Sequence, residues 1–64
     1  MRINTPMIKT ILKGRGWKLI ELAKRSKLNP PTLTMIMKRQ KCQFDNLEKI
    51  AHALELEARD LIIR

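Results

Sequence analysis

The chain has 64 residues, with 14 Lys and Arg against 6 Asp and Glu, a formal net charge of +8 and a single cysteine. A chain this short buries only about 60% of its unfolded surface, so residues 1–64 form one domain with one small core and leave no room for an enzyme cleft with its supporting shell. Cys42 has no partner for an intrachain disulfide and no segment is long and apolar enough for a leader or a membrane span, so a soluble cytoplasmic protein is expected.

Five short helices are predicted, with no strand pattern, and they make an all-α orthogonal bundle. Thr5-Pro6 opens the first, threonine as a cap and proline at the first helical position. Met7, Ile8, Ile11 and Leu12 then share one face, and Gly14 and Gly16 stop the helix. Trp17 reads as a core anchor. The second helix runs from about Lys18 to Arg25 with Leu22 and Ala23 inward, and Ser26-Lys27-Leu28 is the turn that follows.

Asn29 is positioned to cap the third helix, whose first turn holds Pro30 and Pro31, where a missing N–H costs little. Leu28, Leu33 and Ile36 supply its buried side, and Lys38-Arg39-Gln40-Lys41 is a basic connection. The fourth helix, about Phe44 to Leu54, carries Phe44, Leu47, Ile50, Ala51 and Leu54 at amphipathic spacing, with Asp45 and Glu48 in its first turn. Glu55-Leu56-Glu57 links it to a last brief helix from Ala58 to Ile63.

The charge is unevenly spread. Residues 1–41 carry eleven basic side chains against Glu21 alone, whereas residues 42–64 carry three basic against five acidic ones. Such a separation points to one electropositive face, the footprint expected for a phosphate backbone. The alternative is a surface that is merely solubilising. Helices two and three, over about 18–38, form a helix-turn-helix unit, in which one helix spans the backbone and fixes the next in the major groove.

Gly16-Trp17, Glu21-Leu22-Ala23, the turn, Thr32-Leu33, and then Leu47, Ile50-Ala51, Leu54, Leu56 and Leu61 follow a spacing that resembles the Cro/CI-type helix-turn-helix domains of phage repressors and bacterial regulators. The resemblance covers roughly residues 7–62 and implies a compact five-helix, lambda-repressor-like fold. It also implies a cytoplasmic regulator, phage-encoded or chromosomal, that binds double-stranded DNA as a homodimer on a pseudo-palindromic operator and represses transcription. On this resemblance Asn29, Pro30, Pro31, Thr32, Thr34 and Met35 face the bases, and Lys18, Lys38, Arg39 and Lys41 lie near phosphates. Asn29 has the alternative of serving only as a helix cap, and Thr34 and Met35 of being ordinary exposed helix positions.

Several positions depart from the family pattern. The turn glycine is Lys27, which must then adopt a left-handed conformation or change the turn. A glutamine common at the start of the second helix is Leu19, and two base-reading glutamines are Pro30 and Pro31. Readout therefore falls to Thr32, Thr34, Lys38 and apolar contact with thymine methyls. A basic–acidic pair common in the family is Leu12 and Met37, an apolar substitute that a core accepts well.

The rival reading is a protein-binding module on the same fold, of antirepressor or antitoxin type, docking on Leu19, Ile20, Pro30, Pro31 and Met35. Leu56, Ile62 and Ile63 are the expected dimer surface, or alternatively close the monomer's core. No cofactor, metal or small-molecule ligand is expected. His52 and Cys42 alone do not supply the four ligands of a structural zinc site.

Overall fold

A computed structural model describes residues 1–63. Its order is α1 (Thr5–Arg15), α2 (Leu19–Ser26), α3 (Pro30–Arg39), α4 (Phe44–Ala53) and a single 3₁₀ turn (Ala58–Leu61). The architecture is the all-helical bundle that the apolar spacing predicts, with the fifth helix shortened to that one turn. Asp60 closes the turn by accepting the Glu57 N–H at 3.0 Å. Ile62 then swings into extended backbone at φ −87°, ψ 135°, which ends the helical path two residues before the expected stop.

The helix ends carry the main local corrections. The cap of α1 is Asn4, whose Oδ1 accepts the Met7 N–H at 3.1 Å, and Thr5 is the first helical residue and buried. Gly14 lies inside α1, and Gly16 alone stops it, at φ 70°. Lys27, Gln40 and Glu55 adopt the same left-handed conformation without being glycine, at φ 59°, 60° and 60°. After α1, α2 and α4 the following N–H reaches back across the turn, from Trp17 to the Leu12 carbonyl, Leu28 to Ala23 and Leu56 to Ala51, at 2.9, 3.0 and 2.8 Å. This is the Schellman stop, and in each case the residue that folds back is apolar.

Those returns help to close one core. Ile8 and Leu12 of α1, Leu22 and Ala23 of α2, Leu33, Ile36 and Met37 of α3, and Leu47, Ile50 and Ala51 of α4 are all buried, together with Leu28, Leu54 and Leu61. Helix α2 packs on both α3 and α4, and the 3₁₀ turn packs on α4 and α1. Leu12 and Met37 both join this core. Phe44 does not. As the first residue of α4 it stands at the rim and is 47% exposed.

One feature has no counterpart in the predicted elements. Ahead of α1, Arg2 and Ile3 pair as a short ribbon between the α3–α4 loop and the tail. The Ile3 N–H donates to the Gln40 carbonyl at 3.0 Å, and the Cys42 N–H to Met1 at 3.1 Å. On the other side Asn4 donates to Leu61 at 2.7 Å, and Ile63 to Arg2 at 3.1 Å. Two antiparallel pairings result, Arg2 with Lys41 and Ile3 with Ile62. Ile3 is fully buried, so this ribbon is a floor of the core.

Candidate nucleic-acid interface

The burial of α3 decides what it presents. Leu33, Ile36 and Met37 face inward, so the opposite stripe at helical spacing is Pro31, Thr34, Met35 and Lys38, all exposed. Asn29 and Pro30 are exposed at its start, and Thr32 is half-exposed at its edge. The sequence-predicted base-facing residues thus lie together along one outward surface of α3. The stripe offers two threonine hydroxyls, one ammonium and apolar carbons, a set suited to hydrogen-bond acceptors and methyl groups.

The N-terminus of α3 is a poor anion site. Pro30 and Pro31 have no N–H, and the Leu33 N–H is already bonded to the Asn29 carbonyl at 3.0 Å. Asn29 makes no capping bond, because two of the three donors it would serve are missing. Asn29 thus holds the expected N-cap position, with its carbonyl accepting from Leu33, but without a side-chain capping bond. The positive charge sits at the other end, where Lys38 and Arg39 lie in the last turn of α3 and Lys41 follows.

These cations are exposed, as is Lys18 in the extended residue before α2. The two ion pairs among the described residues are Glu21–Arg25 and Glu57–Arg59, so none of the four has a neutralising carboxylate. Lys41 and Arg39 border a shallow depression with Thr32, Met35, Cys42 and Asn46. Loop cations and the outer face of α3 therefore form one continuous surface.

Two arginines near α2 are engaged elsewhere. Arg15 and Arg25 stack on opposite sides of the sequence in an arrangement the spacing did not reveal, with guanidinium carbons 4.9 and 4.3 Å from the centre of the Trp17 ring. Arg15 also donates to the Leu54 carbonyl at 2.7 Å, and Arg25 to Glu21 at 3.0 Å. Trp17 is half-buried: it packs against the core, as expected of it, and its ring also meets the two guanidinium groups.

Leu56, Ile62 and Ile63 are each half-buried. Leu56 and Ile62 pack against the core and also line an open depression with Phe44, Glu48, His52 and Arg59. Leu19 is half-buried, whereas Ile20 and Met35 are 54% and 48% exposed. Cys42 is half-buried, and burial pushes its thiol up against a smaller downward pull from the N-terminal ammonium. Among the described residues no three His, Cys, Asp or Glu side chains gather as a metal site, and no helix is long and apolar enough to cross a membrane.

A two-helix unit, α2 and α3, that buries one face of its second helix and surrounds the other with unpaired cations defines a helix-turn-helix nucleic-acid-binding domain. Comparison with protein families agrees over almost the whole length: the model of the Cro/C1-type helix-turn-helix DNA-binding domain matches residues 7–64, and the chain belongs to that family. No curated protein and no solved structure matches it.

Proposed function

We propose that this chain is a sequence-reading transcriptional repressor that binds a pseudo-palindromic operator as a homodimer. The observation that carries the reading is the outward stripe of α3 beside the unpaired Lys38, Arg39 and Lys41. Asn29, Pro31, Thr32, Thr34 and Met35 contact base edges and methyls, and Lys18, Lys38, Arg39 and Lys41 hold phosphates. With prolines in its first turn, α3 reads by few hydrogen bonds, so thymine methyls against Pro31 and Met35 carry much of the preference.

Pairing of two copies supplies the selectivity that one ten-residue helix lacks. The depression lined by Phe44, Leu56 and Ile62 supports a dimer surface there, extended by Ile63. Recognition helices then enter successive major grooves about 34 Å apart. Such a repressor acts by occupying a promoter.

Selection of bound duplexes from a random library at about 150 mM salt, where surface attraction is partly screened, tests this. The expected result is a symmetric motif with half-sites one helical turn apart. A second reading rests on the exposure of Ile20 and Met35, which suits a protein partner docking on that face. An absence of any enriched sequence would favour it.

A further inference from the structure

The basic surface around α3 does not end at Lys41. The bonds from Ile3 to Gln40 and from Cys42 to Met1 flank Arg2 and Lys41 without joining them. They are thus a non-hydrogen-bonded antiparallel pair, the closer kind, with alpha carbons typically about 4.5 Å apart and side chains on the same face. The Ile3–Ile62 pair is of the same kind and points into the core, so Arg2 and Lys41 point outward.

Both are exposed, neither belongs to an ion pair among the described residues, and like charges directly opposite one another disfavour the pairing. The ribbon would pair as well with a neutral residue at position 2. An anion between the two side chains turns the repulsion into attraction. Lys41 lies on the depression that also holds Thr32, Met35 and Arg39, so an anion at Lys41 is contiguous with the outer face of α3.

We propose that Arg2 and Lys41 together clamp one backbone phosphate of the bound duplex, making the amino-terminal ribbon a DNA-contacting element. The inference rests on the DNA-binding reading above. Its chemistry is that of a phosphodiester held by a guanidinium and an ammonium, so it adds affinity and register and no sequence preference. The clamp also couples the fold to binding: the strand that floors the core carries its own phosphate contact.

The test is the salt dependence of binding to the preferred duplex for the intact chain, Arg2→Gln, Lys41→Gln, the double variant, and Lys49→Gln as a charge control, since Lys49 is exposed on α4, in no ion pair among the described residues and off the proposed dimer depression. Removing one phosphate contact lowers the slope of log affinity against log salt by about 0.9. Arg2→Gln is expected to show that loss, with weaker binding to specific and unrelated duplexes alike. Adding Lys41→Gln to Arg2→Gln removes less than Lys41→Gln does alone, because the phosphate is shared. Lys49→Gln leaves the slope unchanged, and the melting temperature of Arg2→Gln is equal to or above that of the parent.

An unchanged slope for Arg2→Gln, with the parent binding DNA steeply, overturns the clamp and leaves the DNA-binding reading standing. Equal effects of Arg2→Gln and Lys49→Gln overturn it as well, since only general charge is then at work. A lowered melting temperature for Arg2→Gln assigns the residue to folding and overturns the clamp. Parent protein that binds no duplex removes the DNA-binding reading and the clamp with it.

Discussion

Lys27 occupies the turn between α2 and α3 at φ 59°, ψ 31°, where its N–H bonds the Lys24 carbonyl at 3.2 Å and Leu28 returns to Ala23. A residue with a β-carbon costs roughly 1–2 kcal/mol in this region. Glycine escapes that cost and gives back about 0.4–1 kcal/mol through its freer unfolded chain. Comparing Lys27→Gly with Lys27→Ala removes the same charge in both, so their difference isolates the left-handed preference. It comes to about 0.5–1 kcal/mol in favour of glycine. At about 4–8 °C per kcal/mol for a domain of this size, the glycine variant melts about 2–8 °C above the alanine variant by circular dichroism. Their affinities for DNA stay equal, because the turn geometry is kept. A glycine variant that melts at or below the alanine variant would refute the left-handed turn.

Other consequences follow from single contacts. Leu33→Ala empties a fully buried site beneath α3 and costs about 2–5 kcal/mol, against a total of about 3–10 kcal/mol at typical stability per residue. Urea titration should find the unfolding midpoint of this variant lowered by roughly half. Arg15→Met loses the 2.7 Å bond to the Leu54 carbonyl and one face of Trp17. The exposure of the guanidinium keeps the loss to about 1 kcal/mol, read by urea titration together with a shift in Trp17 emission. Cys42 holds its proton to higher pH in the folded chain than in urea. Its contribution to stability is present below the ordinary thiol pKa and fades as pH rises through the raised one. The pH midpoint of its alkylation rate should therefore lie higher in the native protein than in the denatured one.

How much of this was legible depends on the residue. Leu47, Ile50, Ala51 and Leu54 announce α4 because their spacing leaves one face apolar, and all four are buried. Leu33 and Ile36 likewise fix the outward side of α3 by their spacing alone. Lys27 is legible as a left-handed residue only through the turn glycine it replaces. Gln40 and Glu55 adopt the same conformation with no such cue. At Glu55 the usable signal is a polar residue at the helix end followed by an apolar one, Leu56, that must return to the core.

The ribbon was hidden for a different reason. Arg2-Ile3-Asn4 is too short to show alternation, and its partners lie in two distant loops. Long-range pairing of that kind leaves no local trace. Asn4 takes the cap from Thr5 because the ribbon fixes Ile3 and Asn4 in place, and Thr5 then falls inside the helix and is buried. Trp17 packs against the core as its apolar size suggests, but its stacking with Arg15 and Arg25 leaves no mark in the spacing. Phe44 matches the periodic face of α4, yet no element covers the first turn on that side.

The most direct measurement is a map of backbone amide shifts in the uniformly labelled chain as a short duplex carrying the preferred sequence is added. The account predicts changes concentrated in Asn29, Thr32, Thr34, Met35 and Lys38 to Lys41, extending to Lys18. The outer side of α4 around Glu48 and His52 is predicted to stay still or to report only pairing of copies. Shifts centred on Phe44, His52 and Leu56, with α3 unmoved, would contradict the claim that the exposed face of α3 and its flanking cations form the DNA-binding surface.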